Sequence, residues 1–160
     1  MNSGYLDRES QASYELNLRA QRKLYESGWF EFRSGQGVDS YRQLTHNLNV
    51  DPARMRVDVL LKAVDGGNEG FTFLGMGAAQ QSDSRSNSFY GGLVFGYDYN
   101  SVRIWAPSIN NGNSGGSLIN IGHGWGNEAY AQESSVGSVN IRVYEDSEPD
   151  FDSGYFEFKS

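Results

Sequence analysis

Over most of this chain apolar and polar residues take turns with a period of two, the spacing of strands rather than helices. In MRVDVLLKAV, Met55, Val57, Val59, Leu61 and Ala63 share one face, while Arg56, Asp58 and Lys62 share the other. GFTFLG turns Phe71 and Phe73 inward, and GLVFGYD does the same with Leu93, Phe95 and Tyr97. SVRIWAP buries Val102 and Ile104 and turns Arg103 and Trp105 outward. SLINIG reads as a short strand, and GSVNIRVY buries Val139, Ile141 and Val143. Between them lie the turn-forming runs DGGNEG, QSDSRSNS, NNGNSGG and GHGWGNE. Short strands at this spacing predict an all-β fold, an antiparallel β-sandwich of jelly-roll-like character.

One segment is ambiguous. SYELNLRAQRKLY (13–25) has residue types that favour a helix, yet Tyr14, Leu16, Leu18 and Ala20 alternate with Glu15, Asn17, Arg19 and Gln21. An internal repeat decides for a strand. ESGWFEFRS (26–34) and DSGYFEFKS (152–160) are identical at six of nine positions. The other three exchange Glu for Asp, Trp for Tyr and Arg for Lys. Upstream, SVGSVNIRV (135–143) lies over SQASYELNL (10–18), with Val139, Ile141 and Val143 on Tyr14, Leu16 and Leu18. Residues 10–34 therefore read as a second copy of residues 135–160. The predicted organisation is an N-terminal strand segment (1–26) duplicating the C-terminal tail, followed by a sandwich module (27–160) ending in the repeated strand. Two claimants for one sheet position either pair as related strands in two sheets of one domain or imply self-association through residues 10–34 and 135–160, by strand exchange in a tandem or oligomeric setting.

Composition narrows the function classes. The net charge of −7 and pI near 4.7 argue against nucleic acid and anionic membrane surfaces, which need basic patches. Without cysteine there is neither a disulfide framework nor a thiolate metal site. The opening MNSGYLDRES lacks the charged and apolar regions of a signal peptide. No apolar run is long enough for a membrane span. Aromatic residues are abundant, with 10 Tyr and 9 Phe, which suits strands and leaves rings for contact surfaces.

Three sets of residues could carry chemistry. GNSGGSLIN (112–120) resembles the nucleophile loop of trypsin-like serine proteases, a likeness that implies Ser114 as nucleophile, His46 as base and Asp65 as orienting acid. The same string reads equally as an Asn/Gly turn, and LTHNL around His46 lacks the apolar setting of those enzymes. A non-enzymatic protein is the expectation. The acidic runs DGGNE (65–69) and EDSEPDFD (145–152) could attract calcium but lack EF-hand spacing, and no other cofactor is implied.

The third set suits a sugar, which needs an aromatic face and planar polar groups. GHGWGNE offers His123, Trp125, Asn127 and Glu128 between glycines. Outward Trp105 lies beside SINNGN with Asn110, Asn111 and Asn113, and DGGNE adds Asp65 and Asn68. Each alone could equally serve a turn or a core edge; several such loops on one small module raise the joint case.

SYRQLTHNLNVDPARMRVDVLLKAVDGGNEGF also resembles the start of an H-type lectin domain over residues 40–73, through Arg42, Leu44, Pro52, Val57, Val59, Asp65, Gly70 and Phe71. That family is a small β-sandwich that trimerises and binds N-acetylgalactosamine-like sugars. The resemblance implies the sandwich and extracellular recognition, and carries no site residue, because the strand that the family places between Asp65 and Gly70 is missing. The expected protein is a secreted or cell-surface, lectin-like adhesion module that binds glycans. The alternative is a structural subunit that assembles into filaments or arrays by exchanging its duplicated strand.

Overall fold

The computed structural model describes residues 22–75, 88–109, 114–121 and 129–146. In chain order the strands are β1 (Arg22–Glu26), β2 (Phe30–Arg33), β3 (Tyr41–Thr45), β4 (Met55–Ala63), β5 (Thr72–Leu74), β6 (Ser88–Gly91), β7 (Val94–Tyr97), β8 (Ser101–Trp105), β9 (Ser114–Ser117), β10 (Ile119–Ile121), β11 (Gln132–Ser134) and β12 (Val136–Glu145). Single 3-10 turns at Gly37–Ser40, Pro52–Arg54 and Gly66–Asn68 are the described helical elements.

Two sheets form the body of an all-β sandwich-like fold. The larger runs β1-β12-β4-β5, with β2 also pairing β12; the other runs β3-β8-β7. Their inner faces are the alternating residues that the sequence marks. Val57, Val59, Leu61, Val139, Ile141 and Val143 come from the first sheet, Leu93, Val102 and Ile104 from the second side, and all are buried in one cluster. Burial of such side chains is worth roughly 1.5–3 kcal/mol each.

Four details of the expectation need amendment. Phe71 is 65% exposed. It shares a face with half-buried Phe73, but it precedes β5 and lies opposite Ala63, the last residue of β4, whose N–H donates to the Phe71 carbonyl at 3.0 Å. Tyr97 ends β7 largely exposed, its hydroxyl reaching the Met55 carbonyl oxygen at 3.4 Å. One pairing is not antiparallel: β6 and β9 run parallel, because two intervening strands carry the chain over before it returns. GNSGG, read as a loop, places Ser114, Gly115 and Gly116 in β9. The runs at 81–87, 110–113 and 122–128 lie outside the described residues, as do 1–21 and 147–160.

The edge of the larger sheet is made by the first copy of the repeat. β1 and β2 lie end to end along β12, with Glu26 opposite Arg142 and Phe30 opposite Val139. Three residues, Ser27–Trp29, fill a gap where the partner spends two, so the edge is bulged. Gly28 takes φ +71 there, which suits glycine. Ser27 keeps the ladder connected across the bulge: its N–H donates to the Ile141 carbonyl (3.0 Å), and its Oγ accepts from the Ile141 N–H (2.9 Å).

Glu26 anchors this edge. Its carboxylate accepts from Lys23, from Asn140 Nδ2 (2.8 Å) and from Arg142 Nε (2.9 Å). These bonds, Lys23 first, hold its pKa at about 2 against an ordinary 4.5. A carboxyl depressed on folding stabilises the fold above its unfolded pKa, and that contribution disappears as pH falls through the folded value. Acid melts of the unaltered chain should therefore lose stability between pH 4.5 and about 2. In Glu26→Gln that segment of the melting-temperature profile is expected to flatten; an unchanged slope would refute the assignment.

Candidate carbohydrate-binding face

The outer face of the β3-β8-β7 sheet carries the best-defined group of aromatic and polar side chains among the described residues. Period two puts Arg103 and Trp105 of β8 outward, since Val102 and Ile104 are buried, and Ser101 lies on the same side but buried under the β7–β8 turn. The register sets Tyr41 opposite Trp105 and Gln43 opposite Arg103 on β3, and Gly96 opposite Arg103 on β7.

Tyr41 and Trp105 form a tilted ring pair with centroids 5.6 Å apart. They remain 41% and 38% exposed, so the pair offers ring surface to solvent. Beside it, Gln43 Oε1 accepts from Arg103 Nε (2.9 Å) and from the Tyr41 hydroxyl (3.2 Å). The guanidinium is thus held next to the indole by a hydrogen bond that leaves its other donors available for a ligand. At the β7–β8 turn, Asp98 Oδ1 accepts from Asn100 N (2.9 Å), Ser101 N (2.7 Å) and Ser101 Oγ (3.0 Å). Those bonds, the Asn100 amide first, lower its pKa, so the carboxylate stays charged at neutral pH.

Together Gly96, Tyr97, Asp98, Ser101, Arg103 and Trp105 line an open depression of about 180 Å³. The usual small-molecule site measures roughly 300–1,000 Å³, so this one suits a single ring or the end of a chain. Gly96 keeps it open. A β-carbon there would come into van der Waals contact with the indole, 3.8 Å from Trp105 Cζ3.

Of the site residues expected from sequence, Trp105 belongs to this face. Asp65 and Asn68 lie elsewhere, pinning the loop after β4 to β11. Asp65 Oδ1 accepts from Ser134 Oγ (2.9 Å) and Gln132 Nε2 (3.1 Å). Asn68 Nδ2 donates to Tyr130 O and to Gln132 Oε1, both at 2.9 Å. Their polar atoms serve the fold. Asn110, Asn111, Asn113, His123, Trp125, Asn127 and Glu128 lie outside the described residues. Tyr41, Gln43, Gly96, Asp98 and Arg103 were missed. The outward alternation of Tyr41, Gln43, Thr45 and of Ser101, Arg103, Trp105 was visible, but not which strand lies beside which.

His46 and Asp65, which the protease likeness pairs, each bond to other partners. His46 ends the β3 side of the smaller sheet, where its Nδ1 accepts from the Leu48 N–H (3.2 Å) and its ring packs on Tyr25 at 5.9 Å. An acid that oriented this base would need Nδ1 as a donor. Burial lowers the His46 pKa, which Asp98 partly opposes, so the ring is neutral at physiological pH. Asp65 is bonded to Ser134 and Gln132 instead. Among the described residues no three metal-binding side chains gather, and no helix is long and apolar enough to cross a membrane.

No family model, no curated protein and no solved structure matches the chain.

Proposed function

We propose that this protein is a non-enzymatic, lectin-like recognition module that binds a terminal sugar at the Tyr41–Trp105 face. The observation that carries this reading is the pairing of solvent-facing rings with a positioned guanidinium around a shallow, side-chain-free floor at Gly96. A sugar ring presents one apolar face, which stacks on an aromatic ring, and a rim of hydroxyls, which pair with planar polar groups. Arg103 supplies donors, Asp98 supplies acceptors, and Trp105 supplies the stacking surface. The depression is open and small, so single-site affinity should be weak. Useful avidity would come from several copies displayed together. This role places the module outside the cell, secreted or on the surface.

The test is a glycan array followed by calorimetric titration of the strongest hit. Binding should fall at least tenfold in Trp105→Ala and in Arg103→Ala, while both variants keep the parent melting temperature within a few degrees. Both sites are partly exposed, so folding is not at stake. A blank array across diverse sugars, or hits unaffected by both variants, would remove the reading.

A further inference from the structure

We propose that the outer edge of β12 is a strand-acceptor slot with two donors in this chain, and that residues 152–160 replace residues 26–34 when the resident strand is weakened. The argument compares what the slot requires with what the second copy conserves. The slot uses Ser27 to bridge the bulge through both its N–H and its hydroxyl. It uses Gly28 at φ +71. It takes Phe30 against the core and buries Phe32 within it. It buries Ser34, whose N–H donates to the Ser135 carbonyl at 2.9 Å. All five recur unchanged as Ser153, Gly154, Phe156, Phe158 and Ser160.

At the three positions that differ, the exchange keeps the chemical type. Trp29 is 43% exposed and lies under the Lys62 ammonium, 4.5 Å from the ring centre. Tyr155 offers the same kind of aromatic face to a cation. Arg33 is exposed, and Lys159 keeps its charge. Glu26 meets Asn140 and Arg142, and Asp152 keeps the carboxylate. Five of the six identities thus fall where the slot makes a structural demand, and the sixth, Glu31 and Glu157, lies at an exposed position.

Reach is sufficient within one chain. In the resident register Asp152 would face Arg142, so residues 146–151 must turn back past the last three residues of β12. That is about 10 Å along a strand, and six residues extend to roughly 20 Å. A connection this short gives an effective concentration near millimolar, above that of a second molecule at ordinary dilution. The resident strand prevails in the unaltered chain for two reasons. β1 pairs with residues 143–145 through Arg22, Lys23 and Tyr25, where the second copy has Glu148, Pro149 and Phe151, and the proline has no N–H to donate. Downstream, Gly35 and Gly37 donate to the Pro107 and Ser108 carbonyls at 2.8 and 3.0 Å. After replacement, the sandwich is closed by a strand that follows it in sequence, as in a circular permutant.

The test uses the full chain. Phe32→Asp places a charge in the core and should weaken the resident strand. Phe158→Asp does the same to the second copy. F32D should retain a cooperative melt, F158D should resemble the parent, and F32D/F158D should lose the transition. Occupancy is read by disulfide formation, since the chain has no cysteine of its own. Glu31 faces Ser138 in the resident register. The Ser34–Ser135 bond makes that pair a non-hydrogen-bonded one, where side chains approach most closely. Glu157 is the counterpart of Glu31. In the F32D background, S138C/E157C should close a disulfide within a single chain. The proposal is overturned if F32D unfolds as completely as the double variant, if folded F32D gives no such disulfide, or if the disulfide links two chains.

Discussion

Ile141→Ala is expected to cost roughly 2–5 kcal/mol of folding free energy, the largest loss of any single truncation here. Ile141 sits at the middle of β12, fully buried, with Val59 opposite it on β4 and the Ser27 bulge on its other side. Its side chain faces the cluster to which the second sheet contributes Val102, Ile104 and Leu93. Removal of three carbons leaves a cavity between the two sheets, and β12 is hydrogen-bonded on both edges, so its backbone cannot collapse inward. Urea unfolding should show a lower midpoint with an unchanged slope. Arg142→Ala, on the opposite face of the same strand, is the control, expected to lose much less because its partner Glu26 is solvent-accessible. A loss below about 1 kcal/mol for Ile141→Ala would mean that the two sheets do not pack as described.

Gly116→Ala should destabilise by roughly 1–3 kcal/mol or more, through overpacking rather than a cavity. A β-carbon at this position would stand 2.2 Å from Pro107 Cβ and 2.8 Å from the Ile109 carbonyl oxygen. Neither neighbour yields easily. The proline ring is stiff, and the Ile109 carbonyl accepts the Gly116 N–H at 3.1 Å. Relief of the clash would have to break that bond or move the strand away from its parallel partner. A double-mutant cycle with Pro107→Gly tests the mechanism. The pair should lose less than the sum of the two single losses, because removal of the ring frees the space that the new methyl group needs. Strict additivity would show that the clash is not with Pro107.

The strands were legible because each one states its own inner face. β4 buries every second residue from Met55 to Ala63, and β12 buries Val139, Ile141 and Val143, as their alternation predicts. The same logic placed Trp105 and Arg103 outward. It failed where local alternation outran the core, as at Phe71, which stands opposite the last residue of β4 and is 65% exposed. It could not see that Asn140 would be buried on the outward side, because the residues that cover it, Glu26 and Ser27, come from the other end of the chain.

Of the six residues that line the depression, Trp105 alone is among the candidates that the sequence offers. Loops rich in Asn and Gly advertise polar atoms, but Asp65 and Asn68 spend theirs on Gln132, Ser134 and Tyr130. Composition says which groups a loop owns. It does not say whether a distant strand has already claimed them.

Period two and turn chemistry alone established the all-β class, the buried face of each long strand and the presence of a duplicated edge sequence. Those are local properties, written within a few consecutive residues. Pairing supplied the rest: that the first copy of the repeat lies along β12, that Tyr41 meets Trp105, and that Arg103 is held by Gln43. Such partners stand far apart in the chain. Their meeting depends on register between strands, a free energy summed over whole sheets and encoded in no single segment.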